Sequence, residues 1–583
     1  MAFYLSPLVD VNEIDLTTTI PAVATSIAVT VLRNTYKGPE RKKQLITSTN
    51  GLIDIFGKPT TDASCYQDIL SAAGFLRYGS ALYCTRTMPT SATFAGTMAA
   101  SGGAAYSFTA YTTGNAYKLT DFDSEDPNEF GNEITVSGIY PFYLIAASRG
   151  AWGNNIRVAC ADYSTYNAIA SGGNRSWDTY SVLHGVDSPL LDTRDFLIVV
   201  QVISQGDEVK EANWKTVEVW NVSTDQNRVD DQGQKKYAEM IINEASNYIR
   251  ISMNENALDQ AINIATSAWQ TFAGGQDDNG DTVTDGQIEL DFDLYANPDE
   301  IDVNIFIDSN KSTTVKSYLV SIAETRKDSM AILDCISTDV INNKGGETEA
   351  LRVYRRDTLN ENTSYASLYG NWIEVYDKWN GRYRWIPASG YVAGVYANTD
   401  DVSDPWFAPA GLNRALLGNI RKLAWNPTKS DRDILYKNGI NPIVSFAGQG
   451  KSVWGQKTLL DKESAFNRIN VRRLFLVLEK AISTAAKYFL FEPNDDLTRL
   501  LMVNMVDPFL RDVRSRRGIY DYMVVCDSTN NTAERVDRNE LWMDIYVKPT
   551  RAAEYIVLNF IATKTGASFT ELTGGQSTTN NLV

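Results

Sequence analysis

Residues Glu554–Thr563, EYIVLNFIAT, carry apolar side chains on both faces of a strand: Tyr555, Val557 and Ile561 on one, Ile556, Leu558 and Phe560 on the other. A strand buried on one side alternates apolar and polar residues, whereas a two-faced strand belongs inside a sheet. Left unpaired it would be an aggregation site. The sequence beyond it ends in the polar run TGGQSTTNNLV and offers little to cover it. The segment must therefore join a sheet, in its own chain or in a neighbouring copy. YDYMVVCD (520–527) and LWMDIYVKP (541–549) can supply that sheet, and Pro549 with the short link Thr550–Ala553 leaves room for an arm that reaches outward. Strand addition between subunits is then open alongside pairing within the chain.

At 583 residues the chain is too long for one core, and about three or four domains are expected. Apolar residues at 43% and charged residues at 21% exclude bulk disorder. The 30 tyrosines and 12 tryptophans suit both β-rich cores and extensive protein interfaces. A net charge of −17 opposes non-specific nucleic-acid binding, which depends on cations that neutralise phosphates. Cys65, Cys84, Cys160, Cys335 and Cys526 are odd in number and never spaced C-x-x-C, so they read as free thiols in a reducing compartment. MAFYLSPLVD lacks a basic stretch followed by a long apolar run, and no window approaches eighteen apolar residues. Neither a signal peptide nor membrane insertion is expected.

Along the chain, an extended arm with a short strand at Leu8–Leu16 precedes an α/β pattern: a strand at SIAVTVL (26–32), a turn at YKGPE, a helix over residues 62–79 and a strand at ALYCTRT (81–87). From residue 88 the composition turns to Ser, Thr, Gly and Ala and reads as a β-rich insertion, with strands at DFLIVVQVI (195–203) and WKTVEVWNV (214–222) and a helix in QKKYAEMIINEASNYI. VNIFID (303–308), a helix Thr313–Arg326 and MAILDCI (330–336) then resume strand–helix–strand order, which implies a partly parallel sheet.

Motifs for chemistry are weak. SFAGQGKSVWG (445–455) contains the GKS that ends a phosphate-binding loop, but Ser445 stands where the first glycine should be and the residues after Ser452 do not open a helix. Its glycines fit a loop between a turn at Asn441-Pro442 and a short strand, with Lys451 as a loop cation. The run Asp277, Asp278, Asn279, Asp281 and Asp285 invites calcium, yet Thr282 occupies the position of the required glycine, so a solvated turn is expected. The single histidine, His184, has no nucleophile elbow or metal motif around it. No catalytic residue, cofactor or metal site follows.

The segment NVRRLFLVLEKAISTAAKYF is a helix in which Asn470 can cap the start and Leu474, Leu478, Ala481, Ile482, Ala485 and Phe489 share one face. Arg473, Lys480 and Lys487 recur every seven residues and, drifting only about 20° per step, form a basic stripe on another face. A solvated face and an acidic protein partner are both open.

FNRINVRRLF (466–475), GIYDYMVVCDSTNNTAERVDRNEL (518–541) and RAAEYIVLNFIATKTGASF (551–569) resemble the C-terminal domain of contractile tail sheath proteins, particularly those of T-even-type bacteriophages. The likeness extends through RGAWGNNIRV (149–158), YDKWNGRYRWIPASGYVAG (376–394), SDPWFAPAGLNRA (403–415), SDRDILYKNGINPI (430–443) and VWGQKT (453–458), with residues 88–272 shorter and diverged.

That resemblance implies a non-catalytic structural subunit with an α/β and α+β multidomain fold. Residues 1–23 would be an N-terminal arm, 24–87 with 285–425 the core α/β domain of mixed sheets and helices, 88–284 an outward-facing β-rich insertion, and 426–583 an inner assembly domain with a strand-donating arm at 551–583. Copies would polymerise as a helical sheath, in stacked hexameric rings around a tail tube, and contract to drive the tube through a host envelope during genome delivery. A static shell or surface-layer protein is the alternative.

The arms would donate strands through Val9, Val11 and Glu13 and through Tyr555, Val557, Leu558, Phe560 and Ile561, onto a sheet carrying Tyr522, Val524, Met543 and Ile545. Arg473, Lys480 and Lys487 would face an acidic tube. Tube, baseplate and tail-terminator proteins would be the partners, with no direct nucleic acid, in a virion tail assembled in the host cytoplasm.

Overall fold

A computed structural model describes residues 26–558 apart from 102–105, 111–141, 165–189, 231, 255–256, 263–268 and 278–281. Val9, Val11, Glu13, His184, Asp278, Asn279, Asp281, Phe560 and Ile561 lie outside the described residues.

The centre is a seven-stranded sheet built from β1 (Ala28–Arg33), β2 (Gln44–Ile46), β3 (Leu82–Thr87), β4 (Ile305–Ile307), β5 (Met330–Asp334), β6 (Ala366–Tyr369) and β7 (Ile440–Asn441). Its order is β7-β6-β5-β4-β1-β3-β2, parallel throughout except for β2 at one edge. Alternate residues feed two cores. Ala28, Leu32, Ile305, Ile307 and Ile332 meet helices α1 (Thr49–Phe56) and α2 (Ala63–Phe75), whereas Val29, Val31, Phe306, Ala331 and Leu333 meet α3 (Asp285–Asp293) and α4 (Thr313–Arg326). Burial on both faces is why these strands are near-continuous apolar runs. The helices start where local caps allow: Ser312 accepts from the Val315 amide at α4, and Thr284 forms a capping box with Gln287 at α3.

The seventh strand, β7, lies beyond residue 425, where the core domain was expected to stop. Ile440 aligns with Leu368 and is fully buried, so the central sheet gains its last strand only after the helices α5 (Ser389–Val402) and α6 (Lys429–Lys437) have been laid down.

The expected insertion is β-rich, with two four-stranded sheets, one holding Phe142–Ala146 and Ile249–Met253, the other Ile156–Asp162, Asp195–Ile203 and Trp214–Ser223. Their facing residues form one core, in which the Phe142 and Phe196 rings stack 5.5 Å apart. All five cysteines are buried free thiols.

The described C-terminal part holds α7 (Ile469–Ala486), α8 (Asp496–Ser515) and an antiparallel hairpin, β8 (Ile519–Val525) with β9 (Asp544–Pro549), whose connection carries a short helix at Ala533–Asp537. Asn470 does not cap α7 as expected. The helix begins one residue earlier at Ile469, and the Asn470 side-chain Nδ2 donates to the Thr550 carbonyl, tying the helix to the end of the hairpin.

Candidate assembly interface

Among the described residues the β8–β9 hairpin is a two-stranded sheet, with Tyr522 opposite Val547 and Val524 opposite Ile545. Tyr522, Val524, Met543, Ile545 and Val547 are half-buried against Leu474 and Leu478 of α7 and Val506, Leu510 and Val513 of α8. The outer face presents Tyr520, Met523 and Tyr546, each more than half exposed. Among the described residues neither outer edge of the hairpin is paired. The helices beneath support this two-stranded sheet, and its unpaired edges present backbone N–H and C=O groups with which a further strand can pair.

Immediately after the hairpin, residues 551–558 have no regular secondary structure, so the described part of the expected strand, Glu554–Leu558, is not paired. Tyr555, Ile556, Val557 and Leu558 are 71–83% exposed, an apolar run without cover. The physical reason is in the topology. The last backbone hydrogen bond before it, among the described residues, joins the Thr550 amide to the Gly518 carbonyl 3.1 Å away, after which the chain leaves the hairpin instead of turning back along it.

One side chain of this segment is held. Glu554 Oε1 accepts from the Arg468 Nε at 2.6 Å, the Tyr436 hydroxyl at 2.9 Å and the Gln456 Nε2 at 3.0 Å, and Oε2 accepts from the Arg468 Nη2 at 3.1 Å. Although burial pushes the Glu554 carboxyl upward, these donors outweigh it and hold its pKa below the ordinary glutamate value. Clefts of about 370 and 500 Å³ lie on either side of Ala552–Tyr555. Sequence reasoning missed this cluster because its members are 86 to 118 residues from Glu554 along the chain.

The basic stripe on α7 is corrected by its surroundings. Arg473 is buried and bonded to Asp400 of α5, Lys480 pairs with Asp302 and Asp328, and Lys487 pairs with Asp299 at 2.9 Å. The helical register places the three cations together, but they face the chain's own acids. Arg473 is thereby withdrawn from any external surface. Only Lys487 is substantially exposed, beside the α7–α8 turn, where Tyr488, Leu490 and Phe491 project outward. Phe491 is fully exposed and sits at φ +70°, a left-handed conformation costly for an aromatic residue.

Two other places where chemistry could reside are filled by the chain itself. The sheet changes direction of growth between β1 and β4, the point at which open α/β sheets offer a ligand crevice. There Arg33 and Lys311 both bond Asp68, and Lys316 lies 3.4 Å from Asp308, all at the carboxyl ends of these strands. The GKS string lies in a hairpin, Ile443–Phe446 with Gly450–Val453, where a loop after the Asn441-Pro442 turn was expected; the chain bends only at residues 447–449. Lys451, on a strand rather than in the loop, donates to the Ile420 carbonyl, and the Ser452 hydroxyl donates to the Gly411 carbonyl.

Residues 300–459 match the phage tail sheath protein central domain and residues 461–563 the phage tail sheath C-terminal domain. The chain is 36% identical over 469 residues to the tail sheath protein of Vibrio phage KVP40, a match covering 74% of this chain and 66% of that protein. It is 38% identical over 319 residues to the tail sheath protein of Enterobacteria phage T4, covering 52% of this chain and 48% of that one. The chain thus spans between about half and two thirds of the length of these relatives. In fold it is similar to the crystal structure of a sheath tail protein from Listeria innocua, with a TM-score of 0.52 at 12% identity, over 92% of this chain and 97% of the other.

Proposed function

The chain belongs to the phage tail sheath family, and from that premise we propose that it is the structural subunit of a contractile sheath, polymerising helically around a tail tube and contracting to drive it through a host envelope. The observation that carries this reading is the juxtaposition of an open-edged two-stranded sheet with an exposed apolar arm in the same chain. Each supplies what the other lacks. Copies would exchange these arms, one subunit's Tyr555–Leu558 completing the β8–β9 sheet of the next through main-chain hydrogen bonds. A head-to-tail contact of this kind propagates as a helix rather than closing as a dimer.

Contraction by such a lattice needs no nucleotide: strain laid down during assembly is released as rigid domains rotate into tighter packing. Stacked hexameric rings, a tail tube, a baseplate and a terminator are the partners this role requires, in a virion tail put together in the host cytoplasm. Contact with the tube falls to the exposed α7–α8 turn around Lys487 and Phe491 rather than to Arg473.

The test is truncation before Arg551. The shortened subunit should fold and stay monomeric by sedimentation while the full chain forms tubes under negative stain. Normal tubes from the truncated protein would refute arm exchange.

A further inference from the structure

The anchoring of the arm separates two tasks. Backbone hydrogen bonds hold the chain as far as Thr550; a single carboxylate holds it again at Glu554. Between them Arg551–Ala553 is exposed and spans from the hairpin to a site built by three other segments: Tyr436 at the end of α6, Gln456 after the GKS hairpin, and Arg468 just before α7. That site is a shaped carboxylate receptor. The Arg468 guanidinium grips both oxygens, and the Tyr436 ring that supplies the hydroxyl is itself faced by the Lys457 ammonium, 4.8 Å from its centre. Four residues at about 3.3 Å each could carry the arm some 13 Å from Thr550 in any direction. Clamping Glu554 removes that freedom, and with Arg551–Ala553 exposed and clefts bordering the segment, the side-chain bonds to Glu554 are what hold it.

We propose that Glu554 is a positioning residue for strand donation: seated in the Tyr436–Gln456–Arg468 receptor, it sets the point from which Tyr555–Leu558 depart, so that the arm meets the neighbouring sheet already aimed. The proposal rests on the arm-exchange reading above. Ordering a free arm on binding costs conformational entropy, and a segment fixed at its root has less to lose. Because the receptor is made of side chains that stay on the subunit body, the clamp travels with each subunit, and the strand beyond it can follow a neighbour that moves.

The test uses the full-length chain and compares Glu554→Gln, Glu554→Ala, Arg468→Glu and the exchange pair Glu554→Arg with Arg468→Glu, next to the truncation before Arg551. The readouts are the melting temperature of the unassembled subunit, the protein concentration giving half-maximal polymer, and the mobility of a spin label at Leu558→Cys. Glu554→Ala should leave melting unshifted, mobilise the label and raise the half-maximal concentration about tenfold or more, with the exchange pair recovering much of the loss. Wild-type label mobility and polymerisation in Glu554→Ala, with the truncation inactive, would overturn the positioning role and leave arm exchange standing. Wild-type polymerisation by both would overturn the two together.

Discussion

Arg473 on α7 and Asp400 on α5 are joined by one guanidinium nitrogen lying 2.7 and 2.6 Å from the two carboxylate oxygens, both side chains nearly withdrawn from solvent. The pair bolts the C-terminal helices onto the central domain, and the Arg473 guanidinium also lies over the Tyr396 ring at 4.8 Å. Removing Arg473 leaves the Asp400 carboxylate buried without this bidentate ion pair. Arg473→Ala is expected to lower the stability of the subunit by about 3 kcal/mol, read from chemical denaturation. A loss below about 1 kcal/mol would show the pair to be solvated in solution.

Lys480 should behave differently, because its partner Asp302 is substantially exposed. Lys480→Ala is expected to change stability by less than about 1 kcal/mol. The same denaturation measurement checks it, and an effect equal to that of Arg473→Ala would contradict the distinction.

Burial holds the Asp291 carboxyl up at about 7, only partly offset by Thr87 and Arg41. The folded chain therefore keeps a proton that the unfolded chain releases near pH 4, and this group favours folding at low pH. Its contribution is complete below about pH 4 and is lost as pH rises to about 7, a span worth on the order of 4 kcal/mol. Asp291→Asn should flatten the stability profile across that window and raise the melting temperature at pH 8 but not at pH 4. An unchanged profile would place the titration elsewhere.

Phe491 keeps a left-handed backbone while its ring touches solvent. Phe491→Gly should raise subunit stability by about 1 kcal/mol by removing that strain, and should weaken co-sedimentation with tail tubes without affecting self-assembly. Undiminished co-sedimentation would take the α7–α8 turn out of the tube contact.

Lys451→Ala tests the phosphate-loop reading of GKS. With its ammonium spent on the Ile420 carbonyl, the substitution should cost at most about 1 kcal/mol and leave polymerisation unaltered, with and without ATP and Mg²⁺. ATP-dependent assembly lost in the variant would revive that reading.

Much of this was legible in the sequence because it is local. Thr313–Arg326 is helical over its expected range, and MAILD of MAILDCI and IFI of VNIFID are buried parallel strands, since continuous apolar runs between turns report burial on both faces. The two-faced apolar run after Glu554 announced a strand in need of a sheet, and the exposure of its described residues, Tyr555–Leu558, sharpens that need. Tertiary structure alone decided how the charges are used. A period of seven places Arg473, Lys480 and Lys487 on one stripe, but Asp400, Asp302 and Asp299, between 73 and 188 residues away, decide that each cation is paired within the chain and that Arg473 is buried while Lys487 stays exposed. Glu554 likewise became an anchor only when folding brought Tyr436, Gln456 and Arg468 to it. Periodicity is a property of neighbours along the chain, whereas the partner of a charge is chosen by packing, and packing joins residues that sequence keeps far apart.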